Sequence, residues 1–179
     1  MALSATIFKV AMNIADMNRH YYQQHEFTVA KHPSENDHRL MIRLLAFALN
    51  ASEGLSFTKG LSTDDEPELW QKSLSDEIEL WIDFGQVDEK RIRKACGRSR
   101  EVRIYTYDSR KSNEWWKQNK QNLSRYSNLS VFHIQADGCE ELTNRKMLLQ
   151  CSIDEDSLLL TDEKHSVDVT VCALESGNS

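Results

Sequence analysis

The chain has 179 residues, of which 40% are hydrophobic and 28% charged, and its net charge is −6. This length supports one substantial core, so we expect a single domain over residues 1–179. A nucleic-acid-binding protein is usually basic, and the net charge of this chain is negative. No apolar run approaches the ~20 residues that span a bilayer. The start of the sequence lacks the basic and apolar regions of a secretory signal. We therefore expect a cytoplasmic protein that does not enter a membrane.

The first elements of the chain are predicted to be two strands and a helix. Residues 5–14 and 21–30 supply apolar positions in the manner of two strands on either side of a polar connection. Pro33 comes just before apolar residues that recur at the 3.6-residue spacing of a helix, which predicts a helix over residues 34–51 that ends before Gly54. Such a helix buries one apolar stripe against a sheet.

Residues 68–83 are predicted to form a β-hairpin with Ser75-Asp76 as a two-residue loop. The register pairs Leu74 with Glu77, Lys72 with Glu79, Trp70 with Trp81 and Glu68 with Asp83. Opposed side chains have Cβ atoms ~4.5–5.5 Å apart, so the last two carboxylates would repel each other unless a cation lay between them. Mg²⁺ suits such a pair. Alternatively, residues 65–69 open a short helix with Pro67 at its first position.

The rest of the chain alternates between strands and helices. The predictions are a helix over residues 88–97 capped by Asp88, a strand over 102–107, a helix over 113–123 and a strand over 129–134. With the second hairpin strand, this order predicts parallel neighbours joined by right-handed crossovers. Residues 147–153, 157–160 and 167–174 are predicted to form an antiparallel meander. The fold class is therefore mixed α/β, a sheet flanked by helices with extra antiparallel strands at both ends.

Positive charge is concentrated between residues 90 and 120. That segment holds eleven of the 22 basic residues and only three acidic ones, so it carries +8 while the rest of the chain carries −14. A separation of this kind can steer a polyanion such as nucleic acid to one side of a molecule. Arg91 and Arg98, on one stripe of the helix that Asp88 caps, are the nucleic-acid contacts that we expect. The alternative is an ordinary solvated helix face.

The four cysteines, Cys96, Cys139, Cys151 and Cys172, are far apart in the sequence. They form no C-x-x-C motif and have no nearby pair of histidines, so their spacing suggests neither a zinc site nor a disulfide framework. Buried free thiols are the expectation, since free cysteine is among the most buried residue types.

Several stretches of the sequence carry distinctive motifs. They are Met1-Ala2-Leu3-Ser4-Ala5-Thr6-Ile7-Phe8-Lys9, His32-Pro33-Ser34-Glu35, Gly60-Leu61-Ser62-Thr63-Asp64-Asp65-Glu66-Pro67-Glu68-Leu69-Trp70, Leu80-Trp81-Ile82-Asp83-Phe84-Gly85 and Arg91-Ile92-Arg93-Lys94-Ala95-Cys96. Together they resemble the YaeQ family of bacterial proteins along nearly the whole chain. The resemblance implies a variant of the restriction-endonuclease-like fold, which is that of the PD-(D/E)xK superfamily of Mg²⁺-dependent nucleases. In such a site Mn²⁺ can substitute for Mg²⁺. The resemblance also implies that Glu68 is the second position of the PD element and Asp83 the first position of (D/E)xK.

The sequence departs from the superfamily pattern where a lysine is expected. Gly85 stands two residues after Asp83 and has no side chain to polarise a water or to stabilise developing charge. A lysine from elsewhere must serve, and Lys94 is the first candidate and Lys90 the second. The alternative is that both lysines are solvated. Glu68 also stands where the superfamily most often has aspartate, which lengthens that ligand by one methylene.

Two further groups of residues have both a functional and a structural interpretation. Glu35 would be a third acidic group at the metal, since superfamily members often place a carboxylate on the first core helix; the alternative is a first-turn acid stabilised by the helix dipole. Trp81, Trp115 and Trp116 would either stack on unpaired bases or pack in the core.

Three functions follow from this sequence. The first is a metal-dependent phosphodiesterase that acts on DNA or RNA through Mg²⁺ held by Glu68, Asp83 and Glu35, with Lys94 or Lys90 stabilising charge. The second is a nuclease-fold module that binds nucleic acid or protein without catalysis. The third is a structural interaction protein. The missing lysine favours the second, and the register of the two hairpin acids favours the first.

Overall fold

The structure, a computed structural model, describes residues 4–58 and 65–174. In chain order its elements are β1 (Thr6–Asp16), β2 (Tyr21–Lys31), α1 (Asp37–Asn50), β3 (Leu55–Phe57), β4 (Leu69–Lys72), β5 (Ile78–Phe84), α2 (Glu89–Arg98), β6 (Ser99–Thr106), α3 (Ser109–Leu123), β7 (Leu129–Gln135), a 3-10 helix (Cys139–Leu142), β8 (Lys146–Asp154), β9 (Ser157–Thr161) and β10 (Ser166–Leu174). The chain is thus mixed α/β, which confirms the predicted class. No helix in the described ranges is long and apolar enough to cross a membrane.

The chain divides into two compact units. The first unit comprises residues 1–50 and 135–171, and the second comprises residues 51–134 and 172–179. The parts of the first unit are far apart in the sequence, so its sheet depends on contacts that no local pattern specifies.

The first unit is built on a long antiparallel pair. β1 pairs with β2 from Thr6↔Lys31 to Asp16↔Tyr21, and on its other edge β1 runs parallel to β8. β8, β9 and β10 form the predicted antiparallel meander. The strand order in this unit is therefore β2-β1-β8-β9-β10. Helix α1 is buried over nearly its whole length, and its Phe47 packs against the ring of Phe27 in β2 at a centroid distance of 4.7 Å.

The second unit contains the strand–helix alternation. β5, β6 and β7 are parallel neighbours joined through α2 and α3, as the sequence predicts. β3 and β4 add antiparallel strands beside β5. Both helices pack on one apolar cluster, which contains Trp81, Ile92, Ile104, Trp115 and Leu123. The two helices therefore cover the same face of this part of the sheet.

The hairpin register is confirmed near its open end and differs near its loop. Trp70 pairs with Trp81 as predicted, but a bulge after Gln71 places Lys72 opposite Ile78 instead of Glu79. The connection is longer than the predicted two residues. The N–H of Ser73 donates to the carbonyl of Glu77 at 2.8 Å, so three residues lie between the bonded pair. The predicted partner of Glu77, Leu74, is fully exposed. A two-residue hairpin turn favours residues such as Asn-Gly that tolerate positive φ, which Ser75-Asp76 does not supply at both positions.

Helix boundaries differ from the predictions where capping decides them. α3 begins at Ser109, earlier than residue 113, because the Asp108 carboxylate accepts the N–H of Lys111 at 3.1 Å and caps the helix. α1 begins at Asp37, so the predicted start at residue 34 is wrong and Glu35 precedes the helix. The sequence did not predict β3 or the 3-10 helix, both of which are very short.

We expect Trp115→Phe to lower the free energy of unfolding by ~1–2 kcal/mol, because the indole N–H of Trp115 donates to the carbonyl of Val87 at 3.0 Å in a buried setting. Urea unfolding followed by circular dichroism measures this change. Trp116→Phe is the matched control, since that ring is only partly buried beside the same cluster. Equal losses for the two variants would show that ring size, and not the buried hydrogen bond, determines the effect.

Candidate functional site

The candidate site is centred on Asp83, which lies near the carboxyl end of β5 and is 3% exposed. Its Oδ2 accepts the indole N–H of Trp81 at 2.8 Å and the Nε–H of Arg91 at 2.9 Å. Its Oδ1 accepts an N–H of the Arg91 guanidinium at 3.2 Å. Arg91 thus forms the two-pronged pair that its planar side chain favours, and this pair is largely removed from water.

Arg91 also connects the site to the segment before β4. Its Nη2 donates to the carbonyl of Glu66 at 2.8 Å, and the guanidinium carbon lies 5.6 Å from the centre of the Trp81 ring. The side chain of Arg91 keeps 26% of its surface exposed. The hairpin register predicts a cation between Glu68 and Asp83, and in the structure the cation that contacts Asp83 is Arg91 of the same chain. The contact of Arg91 with nucleic acid stays a prediction.

Gly85 stands where the resemblance to the nuclease superfamily predicts a lysine. Its φ is +83°, in the left-handed region that favours glycine, and its N–H donates to the carbonyl of Tyr105 at 2.9 Å. This turn leads the chain from β5 towards α2, which begins at Glu89. A lysine at this φ would strain the backbone, so the turn after β5 disfavours a lysine at this position.

Glu68 lies directly before β4. Its N–H donates to the carbonyl of Ile82 at 3.2 Å, and its side chain is half-buried. The regular pairing of the hairpin ends at Leu69↔Ile82, one step short of the predicted pair between Glu68 and Asp83. The predicted sharing of one cation by these two carboxylates stays a prediction.

The two candidate lysines both lie on α2 and are both exposed. Lys94 Nζ contacts Asp65 Oδ1 at 2.7 Å, and this hydrogen bond and charge lower the pKa of Asp65 below its ordinary value. Lys90 lies beside Arg93 in a shallow surface depression at the start of the helix. Arg98 donates to the backbone carbonyl of Asp65 at 2.9 Å. The exposed acidic segment before β4 is therefore the observed partner of Lys94.

Glu35 belongs to the first unit, where arginines bind it. Its carboxylate is buried and accepts two N–H groups of Arg43, at 2.8 and 2.9 Å, and one of Arg39 at 3.4 Å. Arg43 also donates to the carbonyl of Ala30 at 2.9 Å, which ties the start of α1 to β2. Neither sequence interpretation of Glu35 anticipated this pair, because Glu35 lies outside the helix.

The observed arrangement does not fit Mg²⁺. This ion prefers about six oxygen ligands at ~2.0–2.1 Å, whereas both oxygens of Asp83 are engaged by Arg91 and Trp81. A divalent ion at Asp83 would compete with the guanidinium for this carboxylate. The carboxylate of Glu35 is likewise engaged by two arginines. The metal ligand set of Glu68, Asp83 and Glu35 stays a prediction.

The basic segment over residues 90–120 is partly neutralised by ion pairs. These pairs are Arg91 with Asp83, Lys94 with Asp65, Arg100 with Glu77 and Arg103 with Glu101. The outward sides of α2 and α3 carry exposed cations that have no acidic partner within the ranges that the structure describes, namely Lys90, Arg93, Arg110, Lys111, Lys117 and Lys120. We call these six residues the helical cationic face. Trp81 and Trp115 are buried and cannot stack on bases without rearrangement.

The comparisons of this chain with known proteins agree with one another. The sequence model described as "YaeQ protein" matches residues 1–171. The "Uncharacterized protein YaeQ" of Escherichia coli K12 is 41% identical over 176 residues, with 97% of each chain covered, and that of Salmonella typhi is 39% identical over the same length and coverage. The crystal structure of the YaeQ protein from Xanthomonas axonopodis pv. citri has a TM-score of 0.92 at 40% identity, with 96% of this chain and 99% of that chain covered. The YaeQ structure from Pseudomonas syringae has a TM-score of 0.89 at 31% identity, with 97% and 98% covered.

We expect Asp83→Ala to lower the free energy of unfolding by ~3 kcal/mol, because it leaves the partly buried Arg91 and the Trp81 indole without their acceptor. The double variant Asp83→Ala/Arg91→Ala should lose less than the sum of the two single variants, since no charge is then stranded. Urea unfolding measures all three.

The matched control is Glu77→Ala, which breaks the exposed pair with Arg100. Exposed pairs contribute ~0–1 kcal/mol, so this variant should stay close to wild type. If Asp83→Ala lost no more stability than Glu77→Ala, the pair between Asp83 and Arg91 would contribute no more to folding than an exposed ion pair does.

Proposed function

The chain belongs to the YaeQ family, and from that premise we propose that it is a nuclease-fold module that binds nucleic acid through the helical cationic face and does not cleave it. The observation that carries the proposal is the pair between Asp83 and Arg91, in which an arginine takes the place beside the acid that a catalytic metal would need. With this charge neutralised internally, the site has no requirement for a metal in order to fold.

The likeness to the restriction-endonuclease-like fold is part of this proposal. The hairpin of β4 and β5, followed by α2 and the parallel strand β6, has the order expected for the PD-(D/E)xK core. Pro67, Glu68 and Asp83 stand at the motif positions. Gly85 does not, and its positive φ supports a loss of the lysine that is tied to the backbone turn.

Neutralisation of Asp83 also favours phosphate binding. A buried carboxylate without a counter-charge would repel a phosphodiester, whereas Asp83 paired with Arg91 presents little net charge. The six residues of the helical cationic face can then attract phosphates from solvent, although the whole chain carries −6. Binding of this kind depends on counterion release, so it weakens steeply with salt and discriminates little between sequences.

A second candidate function is a Mg²⁺- or Mn²⁺-dependent nuclease. Glu68 and Asp83 favour it, because the pairing of Trp70 with Trp81 and of Leu69 with Ile82 keeps the predicted register up to Leu69, the neighbour of Glu68. In this function the metal would compete with Arg91 for the carboxylate of Asp83. The cytoplasmic location predicted from the sequence stays a prediction.

We expect the double variant Lys90→Ala/Arg93→Ala to bind short DNA and RNA about tenfold more weakly than wild type at low salt. Each lost phosphate contact should flatten the plot of log affinity against log salt by about 0.7–0.9. Fluorescence anisotropy with labelled single- and double-stranded oligonucleotides measures both quantities.

The control variant is Lys146→Ala/Lys164→Ala, which removes the same charge from exposed positions of the first unit. It should bind like wild type. Equal weakening by both double variants would mean that net charge and not the helical cationic face determines binding, and no binding by wild type would reject the proposal.

Cleavage distinguishes the two candidate functions. Incubated with Mg²⁺ or Mn²⁺, the wild type should leave labelled single- and double-stranded DNA and RNA intact while still binding them. Should wild type cleave instead and Asp83→Ala lose that activity, the metal-dependent nuclease is the better account, because a metal ligand supplies both water activation and charge neutralisation. Lys94→Ala would then lose ~10²–10³-fold at most, by analogy with a single oxyanion donor, and Lys90→Ala would show which lysine serves.

A further inference from the structure

Three side chains with metal-binding atoms converge in the first unit. His38 lies in the first turn of α1, and Cys139 and Glu140 open the 3-10 helix. The Nδ1 atom of His38 is 3.0 Å from Glu140 Oε2 and 3.5 Å from Cys139 Sγ. The ligand atoms of all three lie within 4.8 Å of one another. The residues are about a hundred positions apart in the sequence, which is why spacing gave no indication of them.

We propose that His38, Cys139 and Glu140 form a zinc-binding site. A tetrahedral zinc ion with ligands at ~2.0–2.1 Å for nitrogen, ~2.0–2.2 Å for a carboxylate oxygen and ~2.3 Å for sulfur separates nitrogen from sulfur by about 3.5 Å and nitrogen from oxygen by about 3.4 Å. The observed nitrogen–sulfur separation of 3.5 Å matches this geometry, and the nitrogen–oxygen separation of 3.0 Å is slightly short of it. The sulfur and the carboxylate oxygen lie within 4.8 Å of each other, so movement of the Glu140 side chain would complete the site.

Hydrogen bonding alone satisfies these contacts poorly. If Nδ1 of His38 carries a proton, it donates to Glu140 and has no lone pair left for the thiol of Cys139. If Nδ1 is unprotonated, it accepts from the thiol, and its lone pair then also faces Glu140 Oε2 at 3.0 Å. A cation between the three atoms satisfies all of them together.

The donor set selects the ion. Thiolate and imidazole prefer zinc over the hard ion Mg²⁺, and a carboxylate oxygen also binds zinc. Cys139 is fully buried, whereas the side chains of His38 and Glu140 are 28% and 47% exposed. An ion can therefore reach the site from solvent, and water can complete its fourth position. Zinc binds the thiolate form of cysteine, so binding of the metal releases the thiol proton of Cys139.

Cobalt titration tests the site without any assay of activity. Metal-stripped protein is titrated with Co²⁺ under reducing conditions, and we expect one equivalent to produce the near-ultraviolet charge-transfer absorption of a cobalt–thiolate bond, which Zn²⁺ then bleaches. Zn²⁺ should also raise the Tm of wild type, because a ligand that binds only the folded state stabilises it.

Three variants make the result specific. Cys139→Ser should lose the thiolate absorption. His38→Gln should weaken Co²⁺ binding by ~10-fold or more, because loss of a residue that only supports a metal ligand already weakens binding by about that factor. Cys172→Ser removes an exposed cysteine and should behave like wild type. Because Cys139 is buried, circular dichroism checks the fold of that variant, and the more exposed His38→Gln provides a second test.

Two results would overturn the zinc site. One is a wild type that shows no cobalt–thiolate absorption. The other is a set of variants in which Cys139→Ser and His38→Gln bind Co²⁺ and gain Tm with Zn²⁺ as wild type does, since any binding would then occur elsewhere on the chain.

Discussion

The candidate site depends on one constraint, the need of the buried Asp83 carboxylate for a positive partner. A buried carboxylate without such a partner is costly, and a bidentate arginine is a partner that also satisfies its hydrogen-bonding capacity. Arg91 meets this need from the first half of α2. Through the same guanidinium it bonds to the carbonyl of Glu66, so strand β5, helix α2 and the segment before β4 are joined at one point.

This constraint links the chemistry of the site to the backbone around it. The turn at Gly85 is possible because glycine accepts a φ of +83°, and the chain then reaches α2 within a few residues. The same turn disfavours a lysine at position 85, where the resemblance to the nuclease superfamily predicts one. Internal neutralisation of Asp83 and absence of that lysine are therefore two aspects of one local geometry, and this connection is why we favour binding over hydrolysis.

The basic residues between 90 and 120 fall into two groups, those that form ion pairs and those that point outward from the helices. Of the basic residues between 90 and 120, those nearest the hairpin form ion pairs with its acids, as Arg91 does with Asp83 and Arg100 with Glu77. The cations that point outward from α2 and α3 are those on the side opposite Ile92 and Trp115, which are buried. A count of charges along the sequence cannot separate these two groups, because the separation depends on which side of each helix faces the core.

The sequence by itself determined the features that depend on local periodicity. The alternation of strands and helices from β5 to β7, the pairing of Trp70 with Trp81 and the tail meander all follow from patterns that span a few residues. Only the tertiary structure decided the parallel contact of β1 with β8, the partner of Asp83 and the convergence of His38 with Cys139. Each of these features depends on side-chain conformations, turns or contacts between distant parts of the chain. Their energies depend on the surroundings that folding creates and not on the order of neighbouring residues.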